Sequence, residues 1–163
     1  MFIGLDHFAR PNDELAIARK NKTLHRNFQG YTTKAGCDLY GFGITAISNI
    51  QNTYSQNIKK INPYYEAVQN DEIPLFKGIT LSKDDVLRKE IIMKILCHGE
   101  IDLRGMEEKF APEIERLKEF EQDGFICQMK ITDIGQFFLR NIASIFDYYL
   151  QNKNGKQTYS KSI

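Results

Sequence analysis

Apolar positions along the chain change their period several times, and each change marks an element. Phe2-Ile3-Gly4-Leu5-Asp6-His7-Phe8-Ala9 reads as a strand that Pro11 breaks. Asn12 or Asp13 can cap the helix that follows, through Glu14 to Lys20, with an acid at its start and bases at its end as the helix dipole favours. Asp38 to Ser48 reads as a strand passing into a glycine-relieved turn at Gly41-Phe42-Gly43. Asn62-Pro63 is a cap followed by a first-turn proline, and Tyr64, Tyr65 and Val68 give the helix it opens one apolar face, ended by Gln69-Asn70-Asp71-Glu72. Ile73-Pro74-Leu75-Phe76-Lys77-Gly78 reads as an extended crossing between two units, which places a boundary near residue 80.

Beyond the boundary the period is mostly helical. Ser82-Lys83-Asp84-Asp85 has the hydroxyl and the acid three residues on that make a capping box, and Val86, Leu87, Ile91, Ile95 and Leu96 then predict an amphipathic helix over 83–97, stopped by Gly99. A short helix is predicted from Met106 to Phe110, and a better one from Pro112 to Gly124, with Ile114, Leu117 and Phe120 marking the period. Phe125, Cys127, Met129 and Ile131 alternate with Ile126, Gln128 and Lys130, which suits a strand with one buried face, or a very tight hairpin. Thr132 can cap a last helix striped by Ile134, Phe138, Ile142, Ile145 and Tyr149, and Lys153-Asn154-Gly155-Lys156 opens a polar tail. The fold class is therefore α+β: a strand-helix-loop-strand unit over 1–80, a mainly helical, winged-helix-like unit over 81–150, and a tail over 151–163.

One stretch follows neither period. Arg26-Asn27-Phe28-Gln29-Gly30-Tyr31-Thr32-Thr33 mixes cation, amide, aromatic, glycine and hydroxyls, and reads as a surface loop. It offers a ring face, amide donors and acceptors, and a glycine that lets a ligand approach the backbone, as a polar ligand would require. An ordinary polar connection between helix and strand is the competing reading.

Composition narrows the chemistry by exclusion. With 163 residues, 42% of them hydrophobic, the chain suits one domain or a small domain plus part of another. Its 22 basic and 21 acidic residues leave a formal charge of +1, so no global field favours nucleic acid, membrane or an acidic substrate. The first residues lack the pattern of a signal peptide and the apolar runs are short, which gives a cytoplasmic expectation. Cys37, Cys97 and Cys127 lie 60 and 30 residues apart, and His7, His25 and His98 are scattered, so spacing indicates neither a disulfide framework nor a metal site. Asp6 and His7, as neighbours in a strand, should point to opposite faces and not pair. Gly41-Phe42-Gly43 lacks the third glycine and the Lys-Ser/Thr ending of a phosphate loop. No nucleophile-base set can be assigned, and spacing alone names no catalytic residue.

Longer motifs carry a resemblance. Gly4-Leu5-Asp6-His7-Phe8-Ala9-Arg10-Pro11, Asp13-Glu14-Leu15-Ala16 and Leu24-His25 leading into the octapeptide resemble the oxygen-independent coproporphyrinogen III oxidases, a family of radical S-adenosylmethionine (SAM) enzymes. The likeness continues through Ala46-Ile47-Ser48, Gln56-Asn57, Tyr64-Tyr65, Asp123-Gly124 and Arg140-Asn141-Ile142, nearly the whole chain. It implies oxidative decarboxylation of two propionates of coproporphyrinogen III to vinyl groups, giving protoporphyrinogen IX in haem biosynthesis. A [4Fe-4S] cluster, SAM and an unidentified electron donor would serve that reaction, without nucleic acid or membrane, in a family expected to be monomeric.

The Cys-x3-Cys-x2-Cys motif that holds the family's cluster is absent, so the likeness is to a carboxy-terminal portion, expected to be inactive alone. Residue by residue, Phe28, Gln29 and Ile47 match positions that contact a second SAM in the family. Asp6, His7, His25 and Arg26 are candidates for substrate propionates, although Arg26 could equally tie down its loop. Two other readings compete. Residues 80–150 suggest a winged-helix DNA-binding module, weakened because Arg140 is the last helix's one cation, and the architecture also suits a haem chaperone, against which the octapeptide argues.

Overall fold

The computed structural model of the chain describes residues 1–151, so the predicted polar tail lies outside the described residues except for Gln151. The chain opens on a hairpin rather than one strand: β1 (Phe2–Gly4) pairs antiparallel with β2 (His7–Phe8). Gly4 at φ +154° and Leu5 at φ +52° make the reversal, which the apolar period of the segment concealed. Gly4 also lies directly under the Tyr31 hydroxyl, where any Cβ would collide with the ring. Helix α1 (Glu14–Lys20) follows as expected, its first turn capped by Asp13, whose carboxylate accepts from the Leu15 N–H at 2.9 Å.

The octapeptide is likewise a hairpin, not a loop. Strand β3 (His25–Asn27) pairs with β4 (Gly30–Thr32), leaving Phe28 and Gln29 at the tip. An Asx turn shapes this tip, Asn27 Oδ1 accepting from the Gln29 N–H at 2.8 Å. The predicted strand over 38–48 is mostly irregular. Only Leu39 bridges to Asn49, and the strand proper, β5 (Ile47–Ile50), begins where the prediction ended. It pairs with β6 (Thr53–Asn57), which the sequence reading passed over, and β6 pairs with β7 (Leu75–Thr80) in an antiparallel sheet of order β5-β6-β7. The extended crossing is thus a sheet strand. Between β6 and β7, α2 (Ile61–Gln69) starts after Lys60, with no side-chain cap, so Asn62 is not the cap.

Helix α3 (Lys83–His98) has the expected capping box between Ser82 and Asp85, and Gly99 ends it in the left-handed conformation. Its buried side chains serve two clusters. Ile91 and Ile95 join Phe110, Leu117, Ile126, Leu139, Ile142, Ile145 and Phe146, whereas Cys97 joins Ile3, Ala16, Leu24 and Tyr31. Burying these aliphatic and aromatic side chains contributes roughly 1.5–3 kcal/mol each, which makes α3 the axis on which both clusters are built.

The segment from Met106 to Phe110 is a series of turns, not a helix, and it leads into α4 (Ala111–Gln122). Strands β8 (Ile126–Cys127) and β9 (Lys130–Ile131) form the tight hairpin, turning at Gln128 and Met129 with φ of +49° and +59°. Ile126 is buried and Cys127 exposed, the reverse of the predicted face. The two-residue turn sets Ile126 opposite Ile131, so the odd-even phase flips across it. The last helix is also broken, into a 3-10 turn (Gly135–Phe138), α5 (Leu139–Ser144) and α6 (Tyr148–Gln151). The cap position of the first piece is Ile134, not Thr132, although the Thr132 hydroxyl two residues earlier accepts from the Gly135 N–H at 3.1 Å. The predicted stripe fails at Ile134, Phe138 and Tyr149, which are exposed, while Leu139, Ala143 and Phe146 are buried with Ile142 and Ile145.

A candidate ligand-binding site at the hairpin tip

The β3–β4 hairpin is bolted to the end of α3. Tyr31 on β4 donates its hydroxyl to the Leu96 carbonyl at 3.0 Å, and His98 Nε2 lies 3.0 Å from the Leu24 carbonyl just before β3. Burial pushes the Tyr31 phenol up to about 12, so it remains a neutral donor at any working pH. Fixing the base of the hairpin in this way fixes its tip.

At the tip, Phe28 is about half exposed and meets Tyr54 of β6 edge-on, with ring centroids 5.2 Å apart and an interplanar angle of 85°. In the sheet, Tyr54 lies opposite Asn49 and Ile79, and Gln56 opposite Ile47 and Lys77. Side chains alternate along each strand, so Ile47, Asn49, Tyr54 and Gln56 share one face, the face on which Phe28 rests. Gln29 is exposed beside Phe28, and its side-chain amide has no hydrogen bond to another described residue. Phe28 and Ile47, 19 residues apart in sequence, therefore belong to one surface.

The approach to Ile47 is held tightly. Thr45 has φ +62°, an uncommon conformation for a β-branched residue that costs roughly 1–3 kcal/mol. Its N–H donates to the Ile58 carbonyl at 3.1 Å and its carbonyl accepts from Gln56 Nε2 at 3.2 Å. Buried Asn57 donates through Nδ2 to the carbonyls of Gly41 at 3.1 Å and Gly43 at 2.9 Å. Gly41 packs so closely on β5 that a Cβ would sit 2.8 Å from the Ile47 carbonyl oxygen. Gly41 thus serves close approach to a neighbouring strand, whereas Gly43 has open space beside it and takes φ +96°.

The four propionate candidates divide between two sides of the hairpin. Asp6 and His7 are in contact after all, Asp6 Oδ1 lying 2.8 Å from His7 Nδ1, because Asp6 is in the β1–β2 turn rather than in a strand. The contact lacks hydrogen-bond geometry, since Nδ1 is buried with no aligned partner. His7 packs edge-on to Tyr31 at 5.2 Å, and the Arg26 guanidinium lies 5.7 Å from the centre of the same ring. Arg26 makes no ion pair with a described residue, and its Nε is buried without a hydrogen-bond partner. His25 lies apart from this group, its imidazole held below its ordinary value by burial, then by the charges of Lys89 and His98.

Sequence reasoning gave Tyr54, Asn49 and Lys89 no role. Asn49 Oδ1 is a buried acceptor with no partner, and Lys89 of α3 places its ammonium 4.9 Å from the centre of the Tyr54 ring. Alternation in Thr53-Tyr54-Ser55-Gln56 was the signal available for β6, but its polar composition hid it.

Among the described residues no three His, Cys, Asp or Glu side chains are grouped to hold a metal ion. Cys37 and Cys127 are exposed, and burial pushes the Cys97 thiol up to about 12, so these cysteines do not fit an iron–sulfur cluster. No described helix is long and apolar enough to cross a membrane.

No family model matches the chain. Curated relatives do: the oxygen-independent coproporphyrinogen III oxidase of Synechocystis sp. is 42% identical over 179 residues, covering 100% of this chain and 38% of that protein. The enzyme of the same name from Escherichia coli K12 is 39% identical over 174 residues, covering 99% and 38%. That of Thermostichus vulcanus is 40% identical over 175 residues, covering 99% and 54%. A solved structure of coproporphyrinogen III oxidase from Escherichia coli, described as a radical SAM enzyme, superposes with a TM-score of 0.84 at 39% identity over 91% of this chain and 37% of that one. The chain thus spans little more than a third of the length of most of these relatives. In sequence and in fold it belongs to the oxygen-independent coproporphyrinogen III oxidase family, whose carboxy-terminal part it matches.

Proposed function

We propose that the chain supplies the carboxy-terminal part of an oxygen-independent coproporphyrinogen III oxidase and that Phe28, Gln29 and Ile47 form one wall of its second SAM site. The observation that carries this reading is the docking of Phe28 on Tyr54, on the sheet face shared with Ile47. Phe28 offers an edge or face to an aromatic base, and Gln29 a two-sided amide free to bond it. Asn49 Oδ1 fits the same ligand class, because a buried acceptor without a donor costs about 1–3 kcal/mol unless an incoming N–H satisfies it. In radical SAM chemistry the cluster and SAM together supply a hydrogen-abstracting radical. The residues of this chain do not fit the cluster, so their part is to bind, orient and exclude water. Arg26, with Asp6 and His7 beside Tyr31, is the better propionate contact of the candidates, since a guanidinium with an unpaired N–H suits a carboxylate. Within this reading residues 1–80 complete the catalytic domain and 81–150 form a winged-helix-like lid, acting in the cytoplasm on coproporphyrinogen III. The DNA-module reading is disfavoured further by α5, whose six residues are too short to cross a groove.

The test replaces the matching part of the Escherichia coli oxidase with this chain. The chimaera should convert coproporphyrinogen III to protoporphyrinogen IX. Gln29→Ala within it should abolish that turnover while SAM cleavage to methionine and 5′-deoxyadenosine continues. A chimaera that cleaves SAM yet makes no product, or full turnover by the Gln29→Ala form, would sink the assignment.

A further inference from the structure

Lys89 is one of several cations, Arg26 and Lys59 among them, that stand over an aromatic ring with no carboxylate partner among the described residues. Lys22, Arg88, Lys94, Arg104, Lys109 and Lys118 each pair with a carboxylate, whereas Lys89 has no ion pair among the described residues. Its neighbours on α3 are already committed, Arg88 to Asp84 and Glu113, and Glu90 to Arg104. The side chain is half-buried, with its ammonium over the Tyr54 ring and its charge felt by His25. A cation over an aromatic face recovers roughly 0.5–1 kcal/mol at an exposed site and leaves the ammonium N–H donors free to bond an anion. The ring beneath it is the one Phe28 abuts, and Asn49, opposite Tyr54, holds the unpartnered acceptor. Aromatic edge, orphan acceptor and uncompensated cation therefore meet at Tyr54, with the exposed Gln29 next in sequence to Phe28.

From this juxtaposition we infer that Lys89 is the carboxylate-recognising residue of the Phe28–Tyr54 site, so that a ligand seated there turns a carboxylate towards α3. The inference rests on the pocket reading above and adds the anionic end of the ligand to it. Two sources carry this chemistry, the amino-acid end of an adenosyl ligand and the propionate of a porphyrinogen.

The test titrates the isotope-labelled chain, observing the Phe28 and Gln29 amides by NMR so that millimolar binding is visible. Two pairs of probes are used: S-adenosylhomocysteine against 5′-methylthioadenosine, and coproporphyrin III against its tetramethyl ester. In at least one pair the acid should bind roughly tenfold more tightly than its neutral counterpart, the scale of one charge-assisted hydrogen bond. Lys89→Met should erase that preference and Lys89→Arg should keep it, and the pair that responds identifies the source. If neither acid is preferred by the unaltered chain, or if Lys89→Met retains the preference, the Lys89 assignment falls while the pocket stands. If no probe shifts either amide, the pocket and the assignment fall together.

Discussion

Cys97 illustrates how far a single residue can be read. It is buried against Ile3, Leu24 and Tyr31, its Sγ lies 3.6 Å from Met93 Sδ, and its thiol is pushed up to about 12. Since only a thiolate attacks alkylating agents, iodoacetamide at pH 8 should label Cys37 and Cys127 in the folded chain and reach Cys97 only after denaturation. Peptide mass mapping reads this directly, and labelling of Cys97 in the native protein would contradict it. Which of the three cysteines is buried was not legible, because spacing says nothing of packing. Whether Arg26 braces its loop or faces a ligand was not legible, because a guanidinium suits both uses until its surroundings are known. Asp6 and His7 were misread for a different reason: opposite faces follow from a strand, and the pair sits on a turn.

At the scale of the element, α3 was predicted from its capping box and apolar spacing because those signals lie within a few residues of one another. What joins α3 to its neighbours was not predicted. Arg88 donates through Nε to Asp84 at 2.7 Å, through Nη1 to the buried Glu113 of α4 at 2.7 Å, and to the Phe146 carbonyl at 3.3 Å. Its guanidinium also lies 5.1 Å from the Phe110 ring centre. Hydrogen bonds from Lys109 and then Arg88 hold the Asp84 carboxyl below its ordinary value. Asp85, Glu100 and Asp102 are lowered in the same direction, by bonds from Ser82, Lys22 and Lys94. A carboxyl whose folded value lies below its unfolded one adds stability above the unfolded value of about 4, and that stability is lost as pH falls through the folded value. The urea midpoint should therefore fall as the pH is taken from about 5 towards 3, and Asp84→Asn should lower the midpoint at pH 7 while shrinking this acid-induced drop. An unchanged pH profile in Asp84→Asn would show that the Lys109–Asp84–Arg88 contacts add nothing to stability.

Across the whole molecule, apolar surface is distributed unevenly. The two clusters flanking α3 are closed, whereas β7 is exposed throughout, with Leu75, Phe76 and Ile79 open to solvent, and α2 exposes Ile61, Tyr65 and Val68. Strand β7 is also a sheet edge, pairing among the described residues only with β6. An apolar edge of this kind is a template for another strand. Sedimentation velocity from micromolar to hundreds of micromolar should show concentration-dependent association, reduced by Phe76→Lys. A monomer throughout that range would reject it.

The sequence by itself determined what short-range chemistry dictates: the Asp13 cap, the Ser82–Asp85 box, the Gly99 stop and the α+β class. It also determined the family, because long motifs survive even where their geometry is misjudged. The tertiary structure alone decided the pairing of β5, β6 and β7, the reversal at Leu5 and the meeting of Phe28, Tyr54 and Lys89. These depend on groups 26 and 35 residues apart in sequence, Phe28 to Tyr54 and Tyr54 to Lys89, whose contact no local period encodes. Only closing the chain around α3 brings them within reach.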